Sequence, residues 1–372
     1  MQIIWVLFGF LFSFSISIPF VNQFLNGILN LNFSFIYILS ICFSVAIFLL
    51  QFKVSLNIYH LVCFVFLVVA FFMNIGSSLT NGFYSVLIGF LLCLPFLQNK
   101  LSTAFLRAFF VTFMLFSSLF FFLIVTDPRV SDVIFLRSRM AMDNSPISIA
   151  IFAGISLLIS LSFLRQQKQL ANITSLVLLF MSIFFVAVIL FSGSRGPLLA
   201  IFFILFFQMI RSGNIVKTFL LVIVSSLGAL FVLSSRGNSE ASSSSRVELY
   251  KEAVNIASES PLGGFQIGKY EMLTGKPFPH NLFLEVWVDL NVFFLLMFSF
   301  LTLYVVYQRY VVLFDKINFK RSLLVDIFVL VFLCCQFSLP SVEMLRVLMP
   351  MLFLSLCCVY ISKDRVYEKR VI

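Results

Sequence analysis

Three basic side chains carry the most chemical potential in this sequence, and each sits where a strongly apolar stretch ends or a polar one returns. The first is in Ser192-Gly193-Ser194-Arg195-Gly196-Pro197, where one arginine interrupts two apolar segments. A guanidinium at membrane depth is costly unless paired, hydrated or able to snorkel, and its planar donor fork matches phosphate oxygens. Arg195 is therefore either a phosphate ligand or a hairpin arginine touching lipid headgroups. Arg246 opens a predicted helix at Ser245-Arg246-Val247-Glu248, which has the spacing of a capping box. There a cation opposes the helix dipole and an anion would suit it. A phosphate shared by helix amides and Arg246 would resolve the conflict; an ordinary solvated arginine is the alternative.

The third is His280, in Pro279-His280-Asn281. Histidine accepts and passes on a proton near neutral pH. Two arginines and a histidine at one interface would suit an anionic leaving group beside a hydroxyl that must lose its proton. Glu285 and Asp289, one turn apart, could orient His280, bind sugar hydroxyls or pair with outside arginines. Ser194 and Asn281 join them as possible substrate-binding or supporting residues. The other histidine, His60, reads as structural. No Walker-type loop, dinucleotide fingerprint, HExxH, compact metal-ligand cluster or nucleophile elbow occurs. No metal or cofactor is expected.

The elements that must position these residues are membrane helices. Of 372 residues, 61% are apolar and only 11% charged, with 52 phenylalanines. Mean hydropathy is +1.11. A soluble domain needs roughly a quarter of its residues charged, so this chain meets lipid rather than water. Runs such as 109–126 lack the alternation of barrel strands, which leaves helices. The net charge of +10 is scattered over short loops, which points to membrane orientation and not to nucleic acid. All seven cysteines lie in apolar stretches, against a disulfide framework or a zinc site. Residues 1–20 carry no basic leader and read as a retained first span.

Apolar segments fall near residues 3–20, 33–52, 57–74, 82–98, 102–126, 146–164, 173–191, 197–210, 218–235, 282–308, 322–337 and 344–361. The expected fold is an all-α polytopic integral membrane protein of about 12 transmembrane helices. With a cytoplasmic N-terminus, fifteen of the 25 basic residues fall inside, Arg309 and Arg321 among them. Both termini are then cytoplasmic. The organisation is 1–235 with transmembrane helices 1–9, a periplasmic loop over 236–281, and 282–372 with helices 10–12 and a short cytoplasmic tail.

Two outside connections are long, 127–145 and 236–281. The second is expected to hold an amphipathic helix near 246–259, with Val247, Tyr250, Val254 and Ala257 on its apolar face and a flexible serine-rich lead-in, Ser242 to Ser245. Gly263, Gly264, Gly268 and Gly275 suggest tight turns or close approach of a ligand.

The order Phe191-Ser192-Gly193-Ser194-Arg195-Gly196-Pro197, then Ser245-Arg246-Val247-Glu248-Leu249-Tyr250, then Pro261-Leu262-Gly263-Gly264-Phe265-Gln266-Ile267-Gly268, then His280-Asn281-Leu282-Phe283-Leu284 resembles the bacterial O-antigen ligase and polymerase superfamily. The resemblance covers roughly residues 173–300. It implies a metal-independent glycosyltransferase on the periplasmic face of the inner membrane, with an undecaprenyl-pyrophosphate-linked glycan as donor. Arg195 and Arg246 match the arginines associated with donor pyrophosphate, and His280 the histidine that activates the acceptor hydroxyl. Two departures stand out: Gly263-Gly264-Phe265-Gln266-Ile267-Gly268 replaces a tighter Gly-x-Gly-x-Gly, and Val288-Asp289-Leu290-Asn291 replaces a Glu-x-Gly.

A polymerase would pass the growing glycan to a lipid-linked repeat unit, a ligase to lipid A–core. The resemblance favours the polymerase, with a chain-length regulator and a flippase as possible partners. A polysaccharide or lipid flippase is the alternative of another class. It predicts charged residues along a central path, of which Asp326 is the main example.

Overall fold

The computed structural model describes residues 1–29, 34–50, 81–98, 101–126, 146–166, 172–192, 194–211, 240–259, 268–276, 279, 281–313, 317–336 and 344–371. Every regular element among them is helical. The helices are α1 (Gln2–Leu29), α2 (Ser34–Leu50), α3 (Asn81–Cys93, continued by a 3-10 turn Leu94–Gln98), α4 (Thr103–Thr126), α5 (Pro146–Leu164), α6 (Ile173–Phe191) and α7 (Arg195–Arg211). They continue as α8 (Glu240–Glu259), α9 (Lys269–Thr274), α10 (Leu282–Leu290), α11 (Val292–Tyr307), α12 (Phe319–Cys335) and α13 (Leu345–Val371).

Ten of the twelve expected apolar segments coincide with described helices, while 57–74 and 218–235 lie outside the described residues, as does the connection 127–145. Among the described residues six helical stretches are long and apolar enough to cross a membrane: Gln2–Val21, Thr103–Leu123, Ile147–Leu164, Ile173–Leu190, Val292–Val312 and Leu345–Ser362. The protein is a multi-pass membrane protein built on apolar helices. The helix α1 runs on past residue 20 to Leu29, into what the sequence pattern makes a connection.

The chain forms two compact units, Met1–Phe43 with Leu101–Leu233, and Ser44–Lys100 with Ser234–Ile372. In the first, α1 pairs with α4 and α5 with α6. Phe8 and Phe12 repeat one turn apart on α1, as do Phe105 and Phe109 on α4, and these two stripes interlock. Phe105 lies 5.5 Å from Phe8 and 5.6 Å from Phe12, ring centre to ring centre. A side chain at Gly9 would meet the Phe105 carbonyl oxygen at 2.7 Å, so α1 and α4 cross where only glycine fits.

Helix α5 is buried along most of its length, and its serines find partners inside the apolar packing. Ser156 Oγ donates to the Phe152 carbonyl at 2.9 Å, and Ser160 Oγ meets Ser182 Oγ of α6 at 2.9 Å. The other face of α6 shows Ile173, Leu176, Val177, Phe180 and Ile183, an exposed apolar stripe suited to lipid.

In the second unit α13 packs on α3 and α12. Gly89 marks another close crossing, since a Cβ there would sit 2.8 Å from the Leu345 carbonyl oxygen. The expected continuous span 282–308 is broken instead at Asn291, whose φ of 87° and ψ of 172° stop α10. Asn291 Oδ1 then accepts from Phe293 N–H at 2.9 Å and Phe294 N–H at 3.1 Å, which starts α11. With ψ near 180° this backbone is outside the left-handed helical region that asparagine favours, and the side-chain cap helps to hold it. The stretch long and apolar enough to cross a membrane is Val292–Val312, and α10 precedes it in the chain.

The far end of that stretch holds a buried ion pair. Helix α11 widens into a π turn, Gln308–Val312, closed by Leu313 N–H donating to the Gln308 carbonyl at 2.8 Å. Arg309 Nε and Nη2 donate to Asp326 Oδ1 and Oδ2 at 3.1 and 3.0 Å, and Tyr310 Oη donates to Oδ1 at 2.8 Å. Arg309, which the charge distribution assigns to a cytoplasmic connection, is buried against α12. Local hydropathy carries no information about a partner 17 residues away.

Candidate functional site

The Arg195 motif lies in the first unit, where α6 and α7 are joined by a short turn. Ser192 ends α6, its N–H bonding back to Val188 and its Oγ donating to the Ile189 carbonyl at 2.7 Å. The same Oγ accepts from Ser194 N–H at 3.2 Å. Ser194 is buried, and its hydroxyl has no hydrogen-bond partner among the described residues. Arg195 is the first residue of α7, so it stands at the positive end of that helix's dipole. Pro197 sits in the first turn, where the missing N–H costs nothing. The side chain of Arg195 lies outside the described portion of the protein.

The long connection contributes α8, α9 and α10 of the second unit. Helix α8 starts at Glu240, not near residue 246. Serines cost only a few tenths of a kcal/mol each relative to better helix formers, so the run Ser242 to Ser245 joins the helix instead of forming a flexible lead-in. Arg246 is consequently exposed and nearly two turns inside α8, which removes its conflict with the helix dipole.

The buried face of α8 shares Ala257 with the expected one but not its valines. Ala253 and Ala257 pack against Tyr270 and Val288, with Ile256, Leu284 and Trp287 around them. Val247 and Val254 are 50% and 41% exposed. A fully buried tyrosine ring needs small residues opposite it, and that partner is invisible to the periodicity of α8 alone.

Helix α9 is held by Asp289. Its Oδ2 accepts from Gly268 N–H at 2.8 Å and its Oδ1 from Tyr270 N–H at 3.2 Å. Gly268 and Gly275 bracket α9 with φ of 83° and 67°, which bears out the turns expected at those two glycines. Gly263 and Gly264 lie outside the described residues. Burial pushes the Asp289 carboxyl up to about 6, against the lowering effect of the Gly268 and Tyr270 amides and Lys269. Burial, reinforced by Glu252, pushes the Tyr270 phenol up to about 12. Tyr270 Oη donates to Glu252 Oε2 at 3.4 Å, and Lys276 Nζ bonds the same oxygen at 2.7 Å.

Asn281 caps α10, its Oδ1 accepting from Leu284 N–H at 3.1 Å. Glu285 is buried one turn before Asp289. The second unit thus brings Asn281, Glu285 and Asp289 together on one short helix in contact with α8 and α9. His280 lies outside the described residues. Asp289 spends two acceptor positions on backbone amides, a role the sequence does not advertise except through Gly268.

Residues 179–299 match the family model described as O-Antigen ligase. That stretch contains Arg195, Arg246, His280, Asn281, Glu285 and Asp289. No curated protein and no solved structure matches the chain. Members of the matched family are membrane glycosyltransferase-like enzymes acting on lipid-linked glycans. Over residues 179–299, less than half of its length, the chain is similar to the O-antigen ligase family.

Proposed function

We propose that this protein is an O-antigen polymerase of the bacterial inner membrane, transferring a growing glycan from undecaprenyl pyrophosphate to a hydroxyl of a lipid-linked repeat unit on the periplasmic face. The observation that carries the reading is the family match across 179–299, which spans Arg195, Arg246 and His280 together. A pyrophosphate leaving group supplies the driving force, so ATP coupling is unnecessary. Arg195 and Arg246 neutralise charge gathering on the departing pyrophosphate, and that interaction is stronger in the transition state than in the bound donor. His280 takes the proton of the acceptor hydroxyl as it attacks the anomeric carbon, and single displacement inverts that centre.

Two structural observations support this division of labour. Asp289 accepts from the amides of Gly268 and Tyr270, a holding role that fits a division of labour in which His280 is the base. Asp326, the residue that best suited a flippase, is bonded to Arg309 and Tyr310.

The description of the matched family favours a second reading, a ligase that passes the glycan to lipid A–core. Reconstitution with the lipid-linked repeat unit alone, then with added core, separates the two. A ladder from the repeat unit alone is the expected result. Product only when core is present establishes the ligase, and no transfer in either reaction refutes both.

A further inference from the structure

Gln336 ends α12 with a side chain that is buried and unmet. It is 7% exposed, and neither Nε2 nor Oε1 has a hydrogen-bond partner among the described residues. A carboxamide brings two donors and an acceptor, and burying both ends without partners works against folding unless something outside the chain answers them. The backbone N–H of the same residue is met, donating to the Leu333 carbonyl at 3.2 Å. The deficit belongs to the side chain.

The neighbours of Gln336 place it on the α10 side of α12. Phe332 and Gln336 are one turn apart and share a face of the helix, whose geometry Gln336 continues with φ of −71° and ψ of −20°. The Phe332 ring lies 5.7 Å from Phe283 of α10 and 6.1 Å from Phe298 of α11, ring centre to ring centre. Phe283 follows Asn281, the cap of α10, by two residues, and His280 is the residue before that cap in the chain. Glu285 comes near enough to Cys335, beside Gln336, for its charge to act on that thiol. The orphaned carboxamide is thus about one helical turn from the contact between α12 and the start of α10.

We infer that the Gln336 carboxamide binds sugar hydroxyls, as one side chain of a saccharide site built on α10 and α12. Neighbouring hydroxyls on a sugar ring each donate and accept, so the oxygen and nitrogen of one carboxamide can hold a pair of them and fix the ring's orientation. An anion is the poorer fit, because Oε1 would repel it and the Glu285 carboxylate is close by. The assignment of that sugar to the acceptor rests on the polymerase reading, in which His280 deprotonates the acceptor hydroxyl. Gln336 holds the sugar and neither takes nor gives the proton.

The test compares Gln336→Leu and Gln336→Met with the wild type, in detergent and after reconstitution. Both variants fill the space with apolar atoms, so without ligand their melting temperatures should equal or exceed that of the wild type. A clear drop in both would mean that the carboxamide has a partner inside the protein, which overturns the inference. Binding is read by thermal unfolding with the free repeat-unit oligosaccharide: the wild type should melt higher in its presence and the variants should not. A wild type that does not respond, or variants that respond equally, overturn it as well. Transfer is read with a saturating lipid-linked oligomer as donor and the lipid-linked repeat unit as acceptor at varied concentration. The acceptor KM should rise about tenfold in each variant, the effect of losing one or two hydrogen bonds, with kcat and the donor KM within about twofold. An unchanged acceptor KM removes Gln336 from the acceptor site. A wild type stabilised by the oligosaccharide yet inactive in transfer would sink the polymerase reading and leave the saccharide site standing.

Discussion

The Asp289 carboxylate accepts from the backbone N–H of Tyr270 at 3.2 Å and of Gly268 at 2.8 Å, so one buried acid fastens the long connection to α10. Asp289→Ala leaves two amides without their acceptor, at about 1–3 kcal/mol for each that stays buried. The expected outcome is loss of the α9 packing, seen as a red shift of Trp287, which packs on the same cluster. Unchanged emission would show that the carboxylate does not hold α9.

The same residue predicts a pH dependence. An acid raised from 3.8 to about 6 binds its proton more tightly folded than unfolded. Its contribution therefore favours the folded state most below the unfolded value, declines as pH rises between roughly 4 and 6, and is constant above that. Asp289→Asn cannot ionise. Thermal unfolding should show the wild type losing stability relative to this variant from pH 4 to pH 6.5, with a constant difference at higher pH. A difference that is flat throughout contradicts the assignment.

The buried side of α8 gives a sharper check on packing. Ala257→Leu forces three further side-chain carbons into the space filled by Tyr270 and should destabilise the cluster by about 1–3 kcal/mol. Val254→Ala, at an exposed member of the expected face, should change stability by no more than about 0.5 kcal/mol. Equal effects, measured by denaturant unfolding in detergent, would return the buried face to the valines.

These contrasts show where the sequence is informative. Long phenylalanine-rich runs such as 103–126 and 173–191 announce helices because the requirement for internal hydrogen bonding in lipid is local and absolute. Gly268 and Gly275 announce turns for an equally local reason. The α8 face, the break at Asn291 and the Arg309–Asp326 pair depend on which residues lie opposite, and no single-segment pattern carries that. For the site, the motif order finds the region and the family match agrees with it. The actual employment of Asp289 emerges only once α9 is in place.

Arg309 and Asp326 should behave as one unit. Removing either partner leaves a buried charge without its counter-ion, and Arg309→Ala or Asp326→Ala should each cost about 3–5 kcal/mol. Replacing both by leucine should cost much less than the sum. A double variant whose loss equals that sum would mean the two side chains contribute independently.

The proposed phosphate role of Arg195 is tested by Arg195→Lys. Lysine keeps the charge but offers no planar fork, so two parallel bonds to a pyrophosphate become one. Transfer should fall by at least tenfold with purified, reconstituted protein, with the loss also showing in the donor concentration needed. An unchanged rate and donor response would leave Arg195 as a headgroup contact of the α6–α7 turn.

His280→Ala tests the general-base step, and its design has to separate chemistry from folding because Asn281, the next residue, caps α10. If His280 only shapes that turn, its loss should disturb α10 and with it the Trp287 environment. If it removes the acceptor proton, emission and unfolding should match the wild type while glycan transfer drops by about 100-fold or more, the range expected when a positioned base is lost. A glutamine at 280 can retain hydrogen bonding without serving as an equivalent base, so His280→Gln should be as inactive as the alanine variant. Restored transfer in His280→Gln would assign the residue to holding the acceptor instead of deprotonating it, and near-normal transfer in His280→Ala would remove it from the reaction.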